Sequence, residues 1–237
     1  MMVPGTSAPP PGMTDQRQFR EAARAQLSLL APLEKKCLLW LAHRTPPWIN
    51  SDHLTLLGIS SMLLAGLSYW WARSNRYALL VVVACLAANW LGDSLDGTLA
   101  RVRNKQRPRY GFYVDHVVDA FSTLFLLGGL ALSGYMSERI ALLVLIAYFM
   151  LSIEVYLATY TLGTFHISFW KFSPTELRIL LAAGNIVLLF QPMAILFGRS
   201  YRLYDVGGAV AIVGLGLMLV IAVIRHTRAL YRAEPMP

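Results

Sequence analysis

The sequence predicts an all-α, polytopic membrane protein with six transmembrane helices and an N-terminal amphipathic surface helix. Of the 237 residues, 56% are hydrophobic and only 14% are charged, whereas a soluble domain carries about 25% charge. Six apolar stretches follow residue 50, and each is near the roughly 20 residues that a helix needs to cross a bilayer. The basic residues are concentrated in the tails and in the short gaps between these stretches, where lipid headgroups would meet them.

Each apolar stretch is predicted to form one transmembrane helix. The stretches run from Leu54 to Trp71, Tyr77 to Ala100, Phe112 to Leu132, Ile140 to Leu162, Leu177 to Phe197 and Val206 to Ile224. Aromatic residues mark several of their ends, as Tyr69, Trp70 and Trp71 do at the end of the first. Such clusters are typical of the boundary between membrane and water.

The N-terminal segment differs from the rest in composition. Residues 1–13 are rich in Pro, Gly and Ser and are predicted to be a disordered tail, which leaves residues 14–237 as a single membrane domain. Residues 15–44 mix leucines with arginines and lysines, which favours an amphipathic helix on the membrane surface, broken or kinked near Pro32. A partner-binding or merely solvated helix remains the alternative.

The charge distribution indicates an orientation and excludes some functions. The net charge is +8, but no aromatic and basic residues alternate along a polar face, so we expect no nucleic-acid partner. The connection between the second and third spans, the N-terminal segment and the C-terminal tail are all basic. Both termini and that connection should therefore face the cytoplasm. With only Cys37 and Cys85, neither a disulfide framework nor a zinc site is expected.

Four carboxylates lie around the second-to-third connection. Asp93 and Asp96 are three residues apart near the end of the second span, and Asp115 and Asp119 are four apart at the start of the third. Each spacing places both members of a pair on one helix face. Because consecutive spans are antiparallel and the connection is short, both pairs should lie at the same, cytoplasmic end.

A cluster of four negative charges at a membrane edge must take up protons or recruit cations. Carboxylate oxygens suit Mg²⁺ or Mn²⁺, and two such ions could bridge a diphosphate. Gly97 and Gly111 would let the backbone approach a ligand or a neighbouring helix, and Arg101 could bind phosphate. The alternative is a structural role, in which an intramembrane Asp only pairs with an Arg.

Residues 92–121 resemble the signature of the CDP-alcohol phosphatidyltransferase family, DxxDGxxAR followed by a spacer and GxxxDxxxD. The matching positions are Asp93, Asp96, Gly97, Ala100, Arg101, Gly111, Asp115 and Asp119, with a spacer of nine residues that is one longer than the commonest form. The resemblance implies a CDP-linked donor held through its diphosphate by two metal ions. It further implies that an alcohol attacks the phosphorus and releases CMP.

The resemblance also implies roles for individual residues. Asp93, Asp96 and Asp115 would be metal ligands, and Asp119 a metal ligand or general base. Gly97, Ala100, Arg101 and Gly111 would belong to the pocket for the donor. The family often begins its first span with a Pro-Asn-x-x-Thr-like sequence, which residues 51–55 match in part. That implies a nucleotide-binding role for Asp52 and Thr55, although Asp52 could instead cap the helix.

A narrower resemblance concerns choline and ethanolamine phosphotransferases, which carry a His directly after the third Asp and a Thr-Glu pair about sixty residues later. Here those positions are His116 and Thr175-Glu176. His116 could be the base for the acceptor hydroxyl, oriented by Glu176. Alternatively, His116 is hydrogen-bonded near the headgroups, and Glu176 stabilises a helix N-terminus after Pro174.

The favoured function is therefore transfer from a CDP-amino alcohol to a diacylglycerol in phospholipid synthesis. The main alternative is phosphatidyl transfer from CDP-diacylglycerol to a polar alcohol such as glycerol phosphate or inositol phosphate. In that case Arg178 could bind the phosphate of the acceptor, although an anchoring role for the fifth span is preferred. A prenyltransferase and a cation transporter are remote alternatives. The expected partners are the donor, a lipid or alcohol acceptor, membrane lipids and, since the family commonly forms dimers, a second copy of the chain.

Overall fold

The computed structural model describes residues 31–162 and 174–234, which form seven helices and one β-hairpin. The elements are α1 (Ala31–Arg44), α2 (Ser51–Ala72), α3 (Ala78–Val102), α4 (Pro108–Ser133), α5 (Glu138–Leu162), α6 (Pro174–Phe190), β1 (Met193–Leu196), β2 (Arg199–Arg202) and α7 (Leu203–Ala233). The predicted tail at 1–13 and the first half of the predicted surface helix lie outside the described residues.

The predicted class, an all-α polytopic membrane protein, is confirmed. By length and composition, α2, α3, α4, α5 and α7 can each cross a membrane. The sixth predicted span corresponds to α7, which is longer than expected at 31 residues. The fifth corresponds to α6, which has 17 described residues. Of the predicted surface helix, α1 is the described part, and Pro32 is its second residue.

The end of the fifth predicted span was wrong. Its apolar run was expected to remain helical to Phe197, but α6 ends at Phe190, and β1 and β2 form an antiparallel hairpin. Pro192 has no backbone N–H to continue the helix. Phe197 and Gly198 form the turn with positive φ angles of 50° and 76°, as a two-residue hairpin turn requires. Hydropathy alone could not distinguish this apolar strand from another helical turn.

The central helix of the bundle is α2, which packs against α3 on one side and α4 on the other. Glycines allow the close approach. A Cβ placed on Gly129 of α4 would lie 2.2 Å from the carbonyl oxygen of Gly66, and one on Gly92 of α3 would lie 2.5 Å from that of Leu54. Small residues permit backbone contact between membrane helices, so these glycines set the spacing of the helices that carry the carboxylates.

Replacement of Gly129 by Ala is expected to destabilise the protein by about 1–3 kcal/mol, because overpacking forces backbone to move. The matched control is Gly128→Ala, since a Cβ on Gly128 meets no atom of residues 31–162 or 174–234 within 4 Å. Thermal unfolding in detergent should show a lower midpoint for Gly129→Ala and an unchanged one for Gly128→Ala. Equal midpoints for the two variants would contradict the described α2–α4 packing.

Two polar side chains fasten α1 and its connection to the bundle. Glu34 Oε1 accepts hydrogen bonds from Trp90 Nε1 (2.9 Å) on α3 and from Thr175 Oγ1 (2.7 Å) on α6. Arg103, at the end of α3, donates to the carbonyl oxygens of Thr45 (2.8 Å) and Pro46 (3.0 Å). At least one arginine of the basic second-to-third connection therefore holds local structure together.

Candidate functional site

The site lies where the start of α2, the end of α3 and the starts of α4 and α6 meet. A narrow pocket there is lined by Thr55, Gly58, Asn89, Asp93, Asp96, Asp115, Val118 and Asp119. All four predicted carboxylates are among these residues. The antiparallel arrangement of α3 and α4 thus brings the two pairs together at one end of the bundle, as the short connection between the spans predicted.

Three of the carboxylates form a tight cluster. One carboxylate oxygen from each of Asp93, Asp115 and Asp119 lies within 4.8 Å of the other two, and all three side chains are half-buried. Close, partly desolvated negative charges repel each other unless a cation offsets them. The donor set consists entirely of hard oxygen atoms, which Mg²⁺ and Mn²⁺ prefer. These residues therefore fit a divalent metal ion.

The fourth carboxylate, Asp96, is held by different contacts. Its Oδ2 accepts a hydrogen bond from Thr55 Oγ1 at 2.8 Å, and its Oδ1 accepts one from the backbone N–H of Gly97. Ser51 Oγ also donates to the Asp96 carbonyl oxygen at 2.9 Å. Thr55, a predicted nucleotide-binding residue, thus contacts a carboxylate in the pocket and fixes its orientation. This contact leaves Asp96 beside the three-carboxylate cluster rather than within it.

Arg178, named above as a possible ligand of an acceptor phosphate, lies against the carboxylate cluster. Its Nη2 donates to Asp93 Oδ2 at 2.6 Å, and its Nε donates to Asn89 Oδ1 at 2.8 Å. The guanidinium is largely buried, with 16% of the side chain exposed. This position is compatible both with the preferred anchoring role and with binding of an acceptor phosphate. Its positive charge partly offsets the negative charge of that cluster.

Asn89 was not predicted as a site residue, because a single amide within an apolar run does not by itself indicate a functional site. It lies one helical turn before Asp93, and its Nδ2 donates to the Gly58 carbonyl oxygen at 3.1 Å. The i, i+4 spacing from Asn89 to Asp93 could have indicated a shared face. Nothing in the local sequence could have shown that Arg178, 85 residues after Asp93, meets both.

None of the four residues predicted for the donor pocket is among the described residues that line the narrow pocket. Arg101 is exposed, and its Nη2 donates to Thr98 Oγ1 at 3.3 Å. Ala100 is half-buried on the same turn. A Cβ on Gly97 would meet only the Arg101 guanidinium, and one on Gly111 would meet nothing within 4 Å. Within the part of the chain that the structure describes, neither glycine serves close helix packing. The predicted approach of a ligand to these glycines stays an expectation.

The other predicted nucleotide-binding residue, Asp52, does not cap α2. Asn50 is the N-cap, with its side chain accepting from the backbone of His53 and the His53 side chain completing a capping box. Asp52 instead forms an exposed ion pair with Arg107 of the second-to-third connection. The pair joins the start of α2 to that connection at the edge of the site.

His116 follows Asp115 on α4. Its Nδ1 lies 2.6 Å from the carbonyl oxygen of Phe112. Its ring packs against the Phe112 ring and meets Tyr156 of α5 edge-on. Since a carbonyl oxygen only accepts hydrogen bonds, Nδ1 carries the proton, and Nε2 is the acceptor nitrogen of the neutral ring. Glu176 is half-buried in the first turn of α6, two residues before Arg178.

A bundle of membrane-spanning helices with a carboxylate cluster at one end defines a polytopic membrane protein with a candidate metal site. Residues 48–225 match the family model described as CDP-alcohol phosphatidyltransferase. The chain belongs to this family, as the motif between Asp93 and Asp119 predicted. Members of the family are generally dependent on divalent metal ions, which agrees with the oxygen ligands that α3 and α4 bring together.

A curated relative also matches part of the chain. Over 104 residues, the chain is 29% identical to an archaetidylinositol phosphate synthase of Pyrococcus horikoshii. The match covers 44% of this chain and 52% of the relative. The chain thus spans about half the length of this relative.

Proposed function

We propose that the protein transfers a phosphoalcohol or phosphatidyl group from a CDP-linked donor to an alcohol and releases CMP. The observation that carries this proposal is the convergence of Asp93, Asp115 and Asp119 within 4.8 Å in a chain of the CDP-alcohol phosphatidyltransferase family. Two Mg²⁺ or Mn²⁺ ions bound by these carboxylates, with Asp96, would neutralise the diphosphate and stabilise the oxygens that enter and leave the phosphorus.

The chain itself supplies ligand orientation and charge balance. Thr55 and the Gly97 N–H hold both oxygens of Asp96, which limits the rotation of that carboxylate. Arg178 and Asn89 fix the side chain of Asp93 from the other side. Groups held in this way need little reorganisation when charge develops on the reacting phosphate. Arg101 is exposed, and its guanidinium would attract the anionic donor.

In the transfer step, the acceptor hydroxyl oxygen forms a bond to the donor phosphorus, and the bond from that phosphorus to the CMP oxygen breaks. The hydroxyl proton must leave to a nearby base. Asp119 is one candidate because it lies in the cluster. His116 is the other, because its Nδ1 proton is engaged by the Phe112 carbonyl oxygen and the lone pair is on Nε2. Orientation of His116 by Glu176, as predicted, would instead require the ring N–H to be donated to the Glu176 carboxylate, so that the other ring nitrogen is the base.

For the substrate pair, we favour a CDP-amino alcohol as donor and a diacylglycerol as acceptor. His116 directly after Asp115, together with Thr175-Glu176 at the start of α6, supports this version. Thr175 is itself held by its hydrogen bond to Glu34 of α1 at 2.7 Å. The start of α6 is therefore fixed at the same end of the bundle as the carboxylate cluster.

A second version is phosphatidyl transfer from CDP-diacylglycerol to a phosphate-bearing alcohol. Two observations favour it. The relative from Pyrococcus horikoshii is named for an inositol phosphate product, and Arg178 lies at the cluster, where a guanidinium could bind the phosphate of such an acceptor. The orientation is the same in both versions, with the site and both termini on the cytoplasmic side, where the basic connections lie.

A panel of donors and acceptors distinguishes the versions. Purified protein with Mg²⁺ or Mn²⁺ should release CMP from a CDP-linked donor, and chelation with EDTA should abolish the release. The first version predicts product from CDP-choline or CDP-ethanolamine with diacylglycerol, and the second predicts product from CDP-diacylglycerol with inositol phosphate or glycerol phosphate. Lipid products are identified by mass. No CMP release from any donor, or full release in EDTA, would contradict the proposal.

A further inference from the structure

A second cavity lies at the end of the bundle opposite to the carboxylate cluster. Its volume is about 330 Å³, within the roughly 300–1,000 Å³ of small-molecule sites. Three segments form it, namely the end of α2 at Arg73, the end of α4 from Ser133 to Tyr135, and the hairpin from Pro192 to Arg202. The function proposed above uses none of these residues.

Two arginines from different segments line this cavity. Arg73 follows the last residue of α2, and Arg202 is the last residue of β2. Both are exposed, and neither forms an ion pair or a side-chain hydrogen bond with another residue of the described ranges 31–162 and 174–234. Two guanidinium groups around one cavity, with no carboxylate among the described residues that line it, favour an anionic occupant.

The charge at this end exceeds what membrane orientation explains. The connections there, with the first turn of the helix that follows each, carry five arginines and two acidic residues, namely Arg73, Arg76, Arg139, Arg199, Arg202, Glu138 and Asp205. Short connections on the non-cytoplasmic side usually contain few basic residues. The proposed orientation places the cavity on that side, so the positive-inside tendency does not account for these arginines.

The surroundings of the cavity are those of a lipid interface. Trp70 and Trp71, directly before it on α2, are each more than half exposed. On the hairpin, Ile195 is 76% exposed and Phe197, at the turn, is 98% exposed. Apolar and aromatic side chains on the outer surface at this level would contact acyl chains and the headgroup boundary. A free anion in water would gain nothing from them, whereas a phospholipid would contact both the arginines and the apolar groups.

We propose that the cavity lined by Arg73 and Arg202 binds the phosphate of an anionic phospholipid in the leaflet opposite to the carboxylate cluster. The two guanidinium groups contact the headgroup, and the acyl chains lie along the exposed faces of α2 and the hairpin. The bound lipid would connect the ends of α2 and α4 to the hairpin. This site does not depend on the catalytic proposal.

The test is native mass spectrometry of the full-length protein in nanodiscs that contain equal amounts of phosphatidylglycerol and phosphatidylcholine. The wild type should retain phosphatidylglycerol preferentially. The double variant Arg73→Gln, Arg202→Gln should lose that preference by about tenfold or more, since each arginine near a membrane surface strengthens anionic lipid binding severalfold. The single variant Arg202→Gln should show a smaller loss of about three- to fivefold.

The matched control is the double variant Arg139→Gln, Arg199→Gln, which makes the same charge change at the same end but outside the lining of the cavity. It should keep the preference. Retention of the preference by the Arg73, Arg202 variant, or its equal loss in the control, would overturn the proposal. Displacement of the lipid by inorganic phosphate alone would also overturn it, because the site would then bind a soluble anion.

Discussion

Replacement of Asp115 by Asn is expected to reduce CMP release by at least about a thousandfold, which corresponds to about 4 kcal/mol of lost transition-state stabilisation. Asn keeps the size of the side chain but removes the charge of one of the three clustered carboxylates. Asp93→Asn and Asp119→Asn should show losses of similar size. The measurement is CMP release under saturating Mg²⁺ or Mn²⁺, with metal affinity measured in parallel by titration with Mn²⁺.

The control is Glu138→Gln, which removes one carboxylate charge at the opposite end of the bundle. It should leave the rate of CMP release and the Mn²⁺ affinity unchanged. Because the proposal places the three aspartates in one metal site, their effects should also be non-additive, and a double variant should be no worse than about tenfold below either single variant. Near-wild-type turnover in Asp115→Asn would contradict the proposed role of the cluster.

Replacement of Arg178 by Lys is expected to lower kcat/KM by about 10–100-fold, although the charge is kept. Arg178 donates through two separate nitrogens, Nη2 to Asp93 and Nε to Asn89, and an ammonium cannot reproduce that planar arrangement. Arg178→Ala should lose more, because the charge that offsets the carboxylate cluster is removed as well. Steady-state kinetics with each donor and acceptor pair give the measurement.

The matched control for this prediction is Arg199→Lys, a conservative change on β2 at the other end of the molecule. It should have no effect on kcat/KM. The kinetics also separate the two proposed substrate pairs. If Arg178 contacts the phosphate of an acceptor, Arg178→Lys should raise the KM for that acceptor more than the KM for the donor. Unchanged kinetics in Arg178→Lys would show that the contact with Asp93 is only structural.

The sequence predicted the carboxylate end of the molecule well because its signals are local. The spacing of Asp93, Asp96, Asp115 and Asp119 is set by the helical period, and a short connection between consecutive spans forces the two pairs to one end. Local spacing could not predict that Asp96 lies beside the cluster that the other three carboxylates form. Asp96 is held by Thr55, and that contact depends on how α2 packs against α3.

Contacts between residues far apart in the chain were missed for the same reason. Arg178 of α6 and Asn89 of α3 are 89 residues apart, and hydropathy treats both as isolated polar residues in apolar runs. The close packing of Gly129 against Gly66 was also not predicted, whereas Gly97 and Gly111, which belong to the motif, were. A motif glycine can be recognised from one segment of the sequence. A glycine at a helix contact can be recognised only when the partner helix is known.

The hairpin after α6 shows where hydropathy is insufficient. Met193–Leu196 is as apolar as the helix before it, but Pro192 ends the helix, and Phe197-Gly198 supplies a tight turn. Proline, glycine and the arginines that follow were the signals available. The same hairpin brings Arg202 to the cavity that Arg73 also lines. Because the hairpin was predicted as helix, the candidate lipid site could not be predicted either.

The most direct test of the central claim is anomalous diffraction from crystals of the wild-type protein grown with Mn²⁺ and shown to release CMP when redissolved. We predict anomalous density within about 2.0–2.3 Å of carboxylate oxygens of Asp93, Asp115 and Asp119. Such density would locate divalent cations where α3 and α4 meet. An active protein whose bound Mn²⁺ lies elsewhere, with no density in contact with these three side chains, would contradict the account.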